Sequence, residues 1–196
     1  MSVGDRPSRH GPSDRHFMDH VKSSPPLPLL REWVARLEGG GIAVAIGGSG
    51  LLAALGLADA VRDWDLTTDA PYERAMDLVR GEAHVAHGSD HLHADRKLAL
   101  EGGAVELIVG FAFHGPRGVI RVPTRVSARM DGIPIGSPEA WAVAYHLLGR
   151  EAKSAALLDH LERHGASRSA IACLLLEPIP DSLAERLAGL PTSSVT

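Results

Sequence analysis

The sequence lacks the residues and segments that mark several classes of protein. Cys173 is its only cysteine, which excludes an intramolecular disulfide and a zinc cluster built on thiolates. No apolar stretch approaches the roughly 20 residues that span a bilayer, and the amino terminus has no apolar region typical of a secretory signal. These absences predict a cytoplasmic protein with no membrane partner.

An excess of basic charge is also missing. The chain has 20 Lys and Arg residues against 24 Asp and Glu residues, for a formal net charge of -4. This balance indicates no basic surface, so nucleic acid is not a favoured partner. Hydrophobic residues make up 44% of the 196 residues, which is typical of a soluble domain that can bury a core.

Two glycines follow a short apolar run in the first half of the chain. Residues 42–46 predict a buried strand, and Gly47 and Gly48 allow a tight turn with close approach of the backbone to a ligand. Ser49 is a natural N-cap for the helix expected next. Because such a turn directs backbone N–H groups and the positive end of a helix toward one point, the segment predicts a phosphate-binding turn.

Two aspartates lie two positions apart in the next predicted strand. Since side chains alternate along a strand, Asp63 and Asp65 are expected on the same face. Carboxylates that face the same way repel each other unless a cation lies between them, and hard divalent ions prefer oxygen ligands. A phosphate turn beside this pair predicts metal-assisted chemistry on a nucleotide.

These motifs, in this order, resemble the polymerase-beta-type nucleotidyltransferase superfamily. Gly48 and Ser49 match its glycine-serine turn, and Asp63 and Asp65 match its Asp-x-Asp signature. The longer string RDWDLTTDAP at residues 62–71 is also similar to the opening motif of tRNA CCA-adding enzymes and poly(A) polymerases.

A third carboxylate extends the resemblance, which covers residues 42–110 and continues more weakly to about residue 163. Glu106 lies in the apolar run VELIV and resembles the third acid of the superfamily, which follows on a later strand. A carboxylate is costly to bury without a partner. The alternative is therefore a solvent-facing residue, or one paired with Lys97 or Arg96 across a hairpin.

The resemblance implies a two-metal site that uses a nucleoside triphosphate as substrate. Two Mg²⁺ ions, with Mn²⁺ as the alternative, would be bound by the three carboxylates. The phosphates of the nucleotide would be bound by Gly48 and Ser49. Arg150 and Lys153 resemble the basic residues that a following helix supplies in related small enzymes, and a solvated helix end is the equal alternative.

The expected fold class is α/β, with a short mixed sheet, helices and a helical C-terminal part. The predicted organisation is a flexible tail over residues 1–26, a catalytic domain over 27–136, a helical region over 137–190 and a polar tail over 191–196. A cleft completed across the interface of a homodimer is a further expectation.

Within this frame, two strands over residues 92–100 and 104–113 are expected to form a hairpin. The connection over residues 114–136 carries four arginines with little periodicity. This pattern favours a solvated loop over a segment whose arginine reaches a triphosphate. Two helices are then predicted, the first from the N-cap Ser137 to about residue 148 and the second over residues 151–164.

Four histidines precede the predicted hairpin, at His84, His87, His91 and His93. Their spacing matches no compact zinc motif and no cysteine assists them. A structural or solvated role is favoured over a metal site, and a histidine that lines the substrate cleft is a third alternative.

The sequence therefore predicts transfer of a nucleoside monophosphate from a nucleoside triphosphate to a hydroxyl acceptor. The acceptor would be a small molecule such as an antibiotic, or a protein or an RNA. No arginine-containing motif follows Glu106 as it does in CCA-adding enzymes, which argues against a complete enzyme for the end of a tRNA. The alternatives are a degenerate module, similar to an antitoxin, that binds nucleotide or protein without turnover, and a histidine-based metal protein.

Overall fold

The computed structural model describes residues 19–82, 84–86 and 96–193. The described helices are α1 (Leu27–Gly39), α2 (Gly48–Ala54), α3 (Tyr72–Val79), α4 (Pro138–Leu147), α5 (Glu151–His164), α6 (Arg168–Leu174) and α7 (Asp181–Ala188). The described strands are β1 (Ala45–Ile46), β2 (Trp64–Thr68), β3 (His84–Ala86), β4 (Arg96–Leu100), β5 (Val105–Val109), β6 (Ala112–Gly115), β7 (Gly118–Arg121), β8 (Val126–Met130), β9 (Ile133–Gly136), β10 (Ala166–Ser167) and β11 (Thr192–Ser193). The predicted α/β fold class is confirmed.

One mixed sheet of seven strands forms the centre of the molecule, in the order β3-β4-β5-β2-β1-β9-β8. Strand β2 runs parallel to β5 and antiparallel to β1. Strands β4 and β5 form the predicted antiparallel hairpin, joined through a short 3-10 turn over Glu101–Gly103. The order places the glycine turn after β1 and the acidic segment of β2 on neighbouring strands.

Helix packing follows the apolar periodicity of the sequence. Helix α1 buries Leu30, Trp33, Val34 and Leu37, which recur at helical spacing. Helix α4 begins at Pro138, where the Ser137 side chain accepts a hydrogen bond from the Ala140 N–H, as the sequence predicts for an N-cap. Helix α4 packs against α5, and the elbow between them faces the candidate site described below.

The prediction of a solvated loop over residues 114–136 is wrong. The segment contains most of the hairpin β6–β7 and the two strands β8 and β9, of which β9 joins the main sheet beside β1. The sequence hides these strands because the exposed edge strand β8 buries no residue, whereas all four residues of β9 are buried. Neither strand shows the alternation that identifies a half-buried strand.

Three arginines of this segment bind groups that lie away from Asp63, Asp65 and Glu106. The guanidinium of Arg117 donates hydrogen bonds to Asp181 and to the carbonyl of Ile179, and that of Arg125 donates to Ser169. Arg129 forms an ion pair with Glu38 at 2.5 Å. These contacts fasten the strands to the helical parts of the molecule.

Residues 19–26, which the sequence places in the flexible tail, pack against the main body. The N–H of Lys22 donates to the carbonyl of Asp59, and the N–H of Val61 donates to the carbonyl of Ser23. Residues 1–18 lie outside the described residues, as do His87, His91 and His93, while His84 begins β3. No helix in the described ranges has both the length and the hydropathy that crossing a membrane would need.

Candidate active site

The turn after β1 depends on glycine at two consecutive positions. A Cβ at Gly47 would lie 1.9 Å from the Trp141 ring, and a Cβ at Gly48 would lie 1.7 Å from Oδ2 of Asp65. Gly48 also has a φ of +53°, in the left-handed region that favours glycine. The turn therefore brings the backbone into direct contact with a carboxylate and with the face of α4.

The prediction that Ser49 is the N-cap of the following helix is wrong. Helix α2 begins at Gly48 with Gly47 at the N-cap, and no side chain caps it. The helix thus begins two residues earlier than a Ser49 N-cap predicts, which leaves Ser49 inside the first turn. Its hydroxyl instead accepts a hydrogen bond from the N–H of Arg62 at 3.4 Å.

Three acids lie on neighbouring strands beside this turn. In β2 the fully buried Trp64 faces the core, so the alternation of the strand directs Asp63 and Asp65 to the opposite face. Asp65 is the register partner of Glu106 in the parallel strand β5. Because partners in a parallel pair share a face of the sheet, the structure brings together the three acids that the sequence singles out.

A cationic side chain is paired with each of the two outer acids. The Arg62 guanidinium donates two hydrogen bonds to Oδ2 of Asp63, from Nε at 3.1 Å and from Nη2 at 2.9 Å. The ammonium of Lys97 lies 2.5 Å from Oε2 of Glu106. The Lys97 pairing is one of the alternatives that the sequence leaves open for Glu106, and its role as a third metal ligand stays a prediction.

The central acid, Asp65, has a strongly perturbed pKa. Burial, followed by the negative charges of Asp63 and Glu106, raises the pKa of Asp65 from 3.8 to about 7, against the opposing effect of the Lys97 charge. Packing against the glycine turn removes this carboxyl from water, and its nearest acids disfavour a second negative charge. A perturbed carboxyl in a cleft is a functional-site candidate.

Basic residues from the elbow between α4 and α5 face these acids. The N–H of Arg150 donates to the carbonyl of Tyr145, and the N–H of Lys153 donates to the carbonyl of Arg150, which fixes the elbow. The Lys153 ammonium lies 5.3 Å from the centre of the Tyr145 ring. Burial and, after it, the charges of Arg150 and Arg62 lower the pKa of Lys153.

Acids and bases meet in one cleft of about 470 Å³. Its lining residues come from four segments of the chain and are Ser23, Ser49, Ala60, Val61, Arg62, Asp63, Asp65, Arg150 and Lys153. Five of these are residues that the sequence proposes for the site: Ser49, Asp63, Asp65, Arg150 and Lys153. The other two, Gly48 and Glu106, adjoin the cleft through Asp65.

Sequence reasoning misses two parts of this cleft. Ser23 reaches it because residues 19–26 pack beside residues 59–61, and no local pattern marks that contact. Arg62 belongs to the recognised string at residues 62–71, yet the sequence assigns it no role. Its neighbour Asp63 was the available signal, because a basic residue next to an acid of a recognised motif is the nearest counter-charge in the sequence.

The three acids offer a donor set made only of carboxylate oxygens, which hard cations such as Mg²⁺ and Mn²⁺ prefer. Over the described ranges, however, no three acidic, histidine or cysteine side chains are placed so that they could together hold a metal ion. The repulsion that raises the pKa of Asp65 is the effect that a bound cation would relieve. In chemistry, therefore, these residues fit a divalent cation.

A second cleft, of about 320 Å³, lies at the other end of β2 and has a different character. Its one acid, Asp69, accepts hydrogen bonds from the N–H of Thr124 on both carboxylate oxygens, at 3.1 and 3.0 Å. That acid is already satisfied by the protein backbone. The first cleft is therefore the candidate active site.

No protein-family model matches the chain, and no curated protein matches it. Solved structures similar to it include the following two. One is a provisionally assigned nucleotidyltransferase from Thermotoga maritima, 24% identical, covering 70% of this chain and 92% of that chain with a TM-score of 0.49. The other is the antibiotic-resistance factor ANT(2'')-Ia, 16% identical, covering 70% of this chain and 84% of that chain with a TM-score of 0.48.

Proposed function

We propose that the protein transfers a nucleoside monophosphate from a nucleoside triphosphate to a hydroxyl acceptor, with the help of divalent cations. One observation carries the proposal: in a single cleft, Asp63 and Asp65 face Arg150 and Lys153 beside the glycine turn. A triphosphate complexed with cations requires acids that bind the cations and bases that bind the phosphates. The cleft contains both kinds of residue.

The donor nucleotide would be bound by main-chain and basic groups. The backbone N–H groups of Gly48 and Ser49 would bind phosphate oxygens at the turn. Arg150 and Lys153 would neutralise the triphosphate from the opposite wall. Divalent cations bound by Asp63, Asp65 and Glu106 would supply charge neutralisation at the phosphates and activation of the acceptor hydroxyl.

The reaction itself is a displacement at the α-phosphorus. The acceptor oxygen forms a bond to the α-phosphorus as the bond to the bridging oxygen breaks, and pyrophosphate leaves. The hydroxyl proton passes to Glu106. Oε2 of Glu106 accepts a hydrogen bond from Lys97, so the proton is proposed to go to Oε1. Positioning in the cleft and charge stabilisation would supply most of the rate.

The first test is thermal stability with each of ATP, GTP, CTP and UTP, with and without Mg²⁺. A nucleotide at about 100 times its dissociation constant stabilises the folded state by about 2.7 kcal/mol, or roughly 5–10 °C for a chain of this size. Asp65→Ala should abolish the Mg²⁺-dependent shift. Asp77→Ala, the same change at the exposed Asp77–Arg80 pair, should retain it.

The nucleotide that gives the shift is then used as α-labelled donor in an acceptor screen of hydroxyl-bearing antibiotics, other small molecules, proteins and RNA. Transfer of label that Glu106→Gln loses would establish the reaction and name the acceptor. Transfer at the wild-type rate by Glu106→Gln would remove Glu106 from the mechanism.

A second candidate function is a nucleotide-binding module without turnover. The ion pairs that Arg62 and Lys97 form with two of the three acids favour it, because they resemble a site in which cationic side chains have taken the place of metal ions. A thermal shift with nucleotide alone, unchanged by Mg²⁺ and without label transfer, would select this candidate.

A further inference from the structure

Arg62 covers one of the three acids at the mouth of the cleft. The Arg62 side chain is 78% exposed, whereas that of Asp63 is 11% exposed. Both hydrogen bonds from the guanidinium end on the same oxygen, Oδ2. The arginine therefore stands between solvent and Oδ2 of Asp63.

An oxygen that accepts two hydrogen bonds from a guanidinium cannot at the same time bind a divalent cation. The lone pairs directed at the two N–H groups are engaged, and the two positive charges would repel each other across a few ångströms. A cation can bind Oδ2 of Asp63 only after the Arg62 side chain has moved. The Arg62 side chain extends into solvent and can leave, and the incoming cation then replaces the positive charge that the guanidinium withdraws from Asp63.

A displaced guanidinium remains within reach of the cleft because the backbone of Arg62 lies beside the glycine turn. The N–H of Arg62 donates to the hydroxyl of Ser49 in the glycine turn, so the residue stays beside the proposed phosphate site. Arg150 and Lys153 line the same cleft. A guanidinium matches phosphate oxygens in a two-pronged geometry, so a triphosphate is the natural new partner.

The other ion pair of the site differs in exposure. In the Lys97–Glu106 pair the side chains are only 27% and 20% exposed, and the two residues belong to adjacent strands of the sheet. Lys97 is therefore held by the sheet beside its acid, whereas Arg62 extends into solvent. Only Arg62 combines the freedom to leave its acid with a phosphate site within its reach.

We propose that Arg62 is an exchangeable counter-cation: it neutralises Asp63 while the cleft is empty and binds the triphosphate when a divalent cation takes Asp63. The inference rests on the proposed function and adds a third basic contact to the nucleotide. It makes the arginine a competitor of the free cation and a partner of the nucleotide, two effects of opposite sign.

Calorimetric titrations of the full chain test both effects separately. Mn²⁺ is titrated without nucleotide, and the nucleotide that gives the largest thermal shift is titrated in saturating Mg²⁺, so that a cation already occupies Asp63. Arg62→Gln should bind Mn²⁺ about tenfold more tightly and the nucleotide about tenfold more weakly than the wild type. Arg62→Lys, which keeps the charge but loses the fork, should fall between the two in both titrations.

Arg80→Gln is the matched control, because Arg80 is also 78% exposed and pairs with a single acid, Asp77. It should change neither affinity. If Arg62→Gln binds Mn²⁺ no more tightly than the wild type, or binds the nucleotide as well as the wild type, the inference is wrong while the proposed function stands. If the wild type binds neither the cation nor the nucleotide, whether they are added separately or together, both the proposed function and the inference are wrong.

Discussion

Two acids with little exposure, Glu139 and Asp65, meet opposite environments in this molecule. Glu139, at the start of α4, is 3% exposed, and both of its oxygens accept hydrogen bonds, from the Ser167 N–H at 2.6 Å and from the Ser137 hydroxyl at 2.5 Å. The neighbours that set the pKa of Asp65 include two further acids, Asp63 and Glu106. The protein satisfies one acid and leaves the other strained by like charge.

The difference separates an acid that holds the fold from an acid that awaits a ligand. Glu139 lies in the first turn of a helix, where the positive end of the helix favours its charge, and it ties α4 to the segment before α6. Asp65 contributes no such tie, and its charge becomes favourable only when a cation enters. Removing each acid should therefore change stability in opposite directions.

The largest effect is expected at the satisfied acid. Glu139→Ala removes two charge-assisted hydrogen bonds and leaves the partly buried Ser167 N–H without its acceptor, which should lower the free energy of unfolding by about 3 kcal/mol. Urea denaturation measures this change. Glu151→Ala, at the exposed first turn of α5, is the control and should lose less than about 1 kcal/mol. Equal losses would mean that burial of Glu139 contributes nothing special.

A smaller effect of opposite sign is expected at Asp65 in EDTA. The pKa of Asp65 is raised from 3.8 to about 7, so the folded protein retains a proton that the unfolded chain releases above about pH 4. The stability from this proton is fully present below about pH 4, declines as the pH rises and is lost above about pH 7. Asp65→Asn, which cannot ionise, should gain about 2 kcal/mol at pH 8.

The pH dependence distinguishes charge from shape in this variant. Urea denaturation of Asp65→Asn and wild type in EDTA should show the gain shrinking steadily between pH 8 and pH 5. Asp77→Asn, at an exposed pair, should show no such trend. A gain of the same size at both pH values would attribute the effect to packing against Gly48 and not to ionisation.

The smallest effect is expected at Tyr145, which lies behind the acids. Its side chain is fully buried, and its hydroxyl has no hydrogen-bond partner among the described residues. Tyr145→Phe should raise the melting temperature by about 2–4 °C, corresponding to about 1 kcal/mol, because it removes an unsatisfied buried group. Tyr72→Phe, at a partly exposed ring beside Arg96, is the control and should have no effect. A loss of stability at Tyr145 would show that its hydroxyl is bonded in the folded protein.

The parts of the fold that the sequence predicts correctly are those that depend on residues close together in the chain. Helix α5 occupies the expected residues 151–164, and helix α4 begins after the expected N-cap Ser137. The glycine turn lies beside the acids of β2 because β1 and β2 are antiparallel, so that β1 ends where β2 begins. Periodicity, capping residues and glycine act over a few residues, so one sequence is enough to find them.

The parts that the sequence misses depend on contacts between distant segments. Strands β8 and β9 have no alternation because one is exposed along its length and the other is buried along its length. Ser23 reaches the cleft through bonds to residues 59–61. The role of Arg62 depends on the orientation of a flexible side chain, which no spacing of residues encodes.

Strand β2 carries both a core residue and a cleft residue at consecutive positions. Trp64 is fully buried, and Asp65 points to the opposite face. A slip of this strand by one residue would place the carboxylate in the core and the indole in the cleft. Exposing the indole and burying the carboxylate would each cost free energy. A misaligned chain would therefore be destabilised at the core and at the cleft together. The alternation of Trp64 and Asp65 thus specifies the register of this strand.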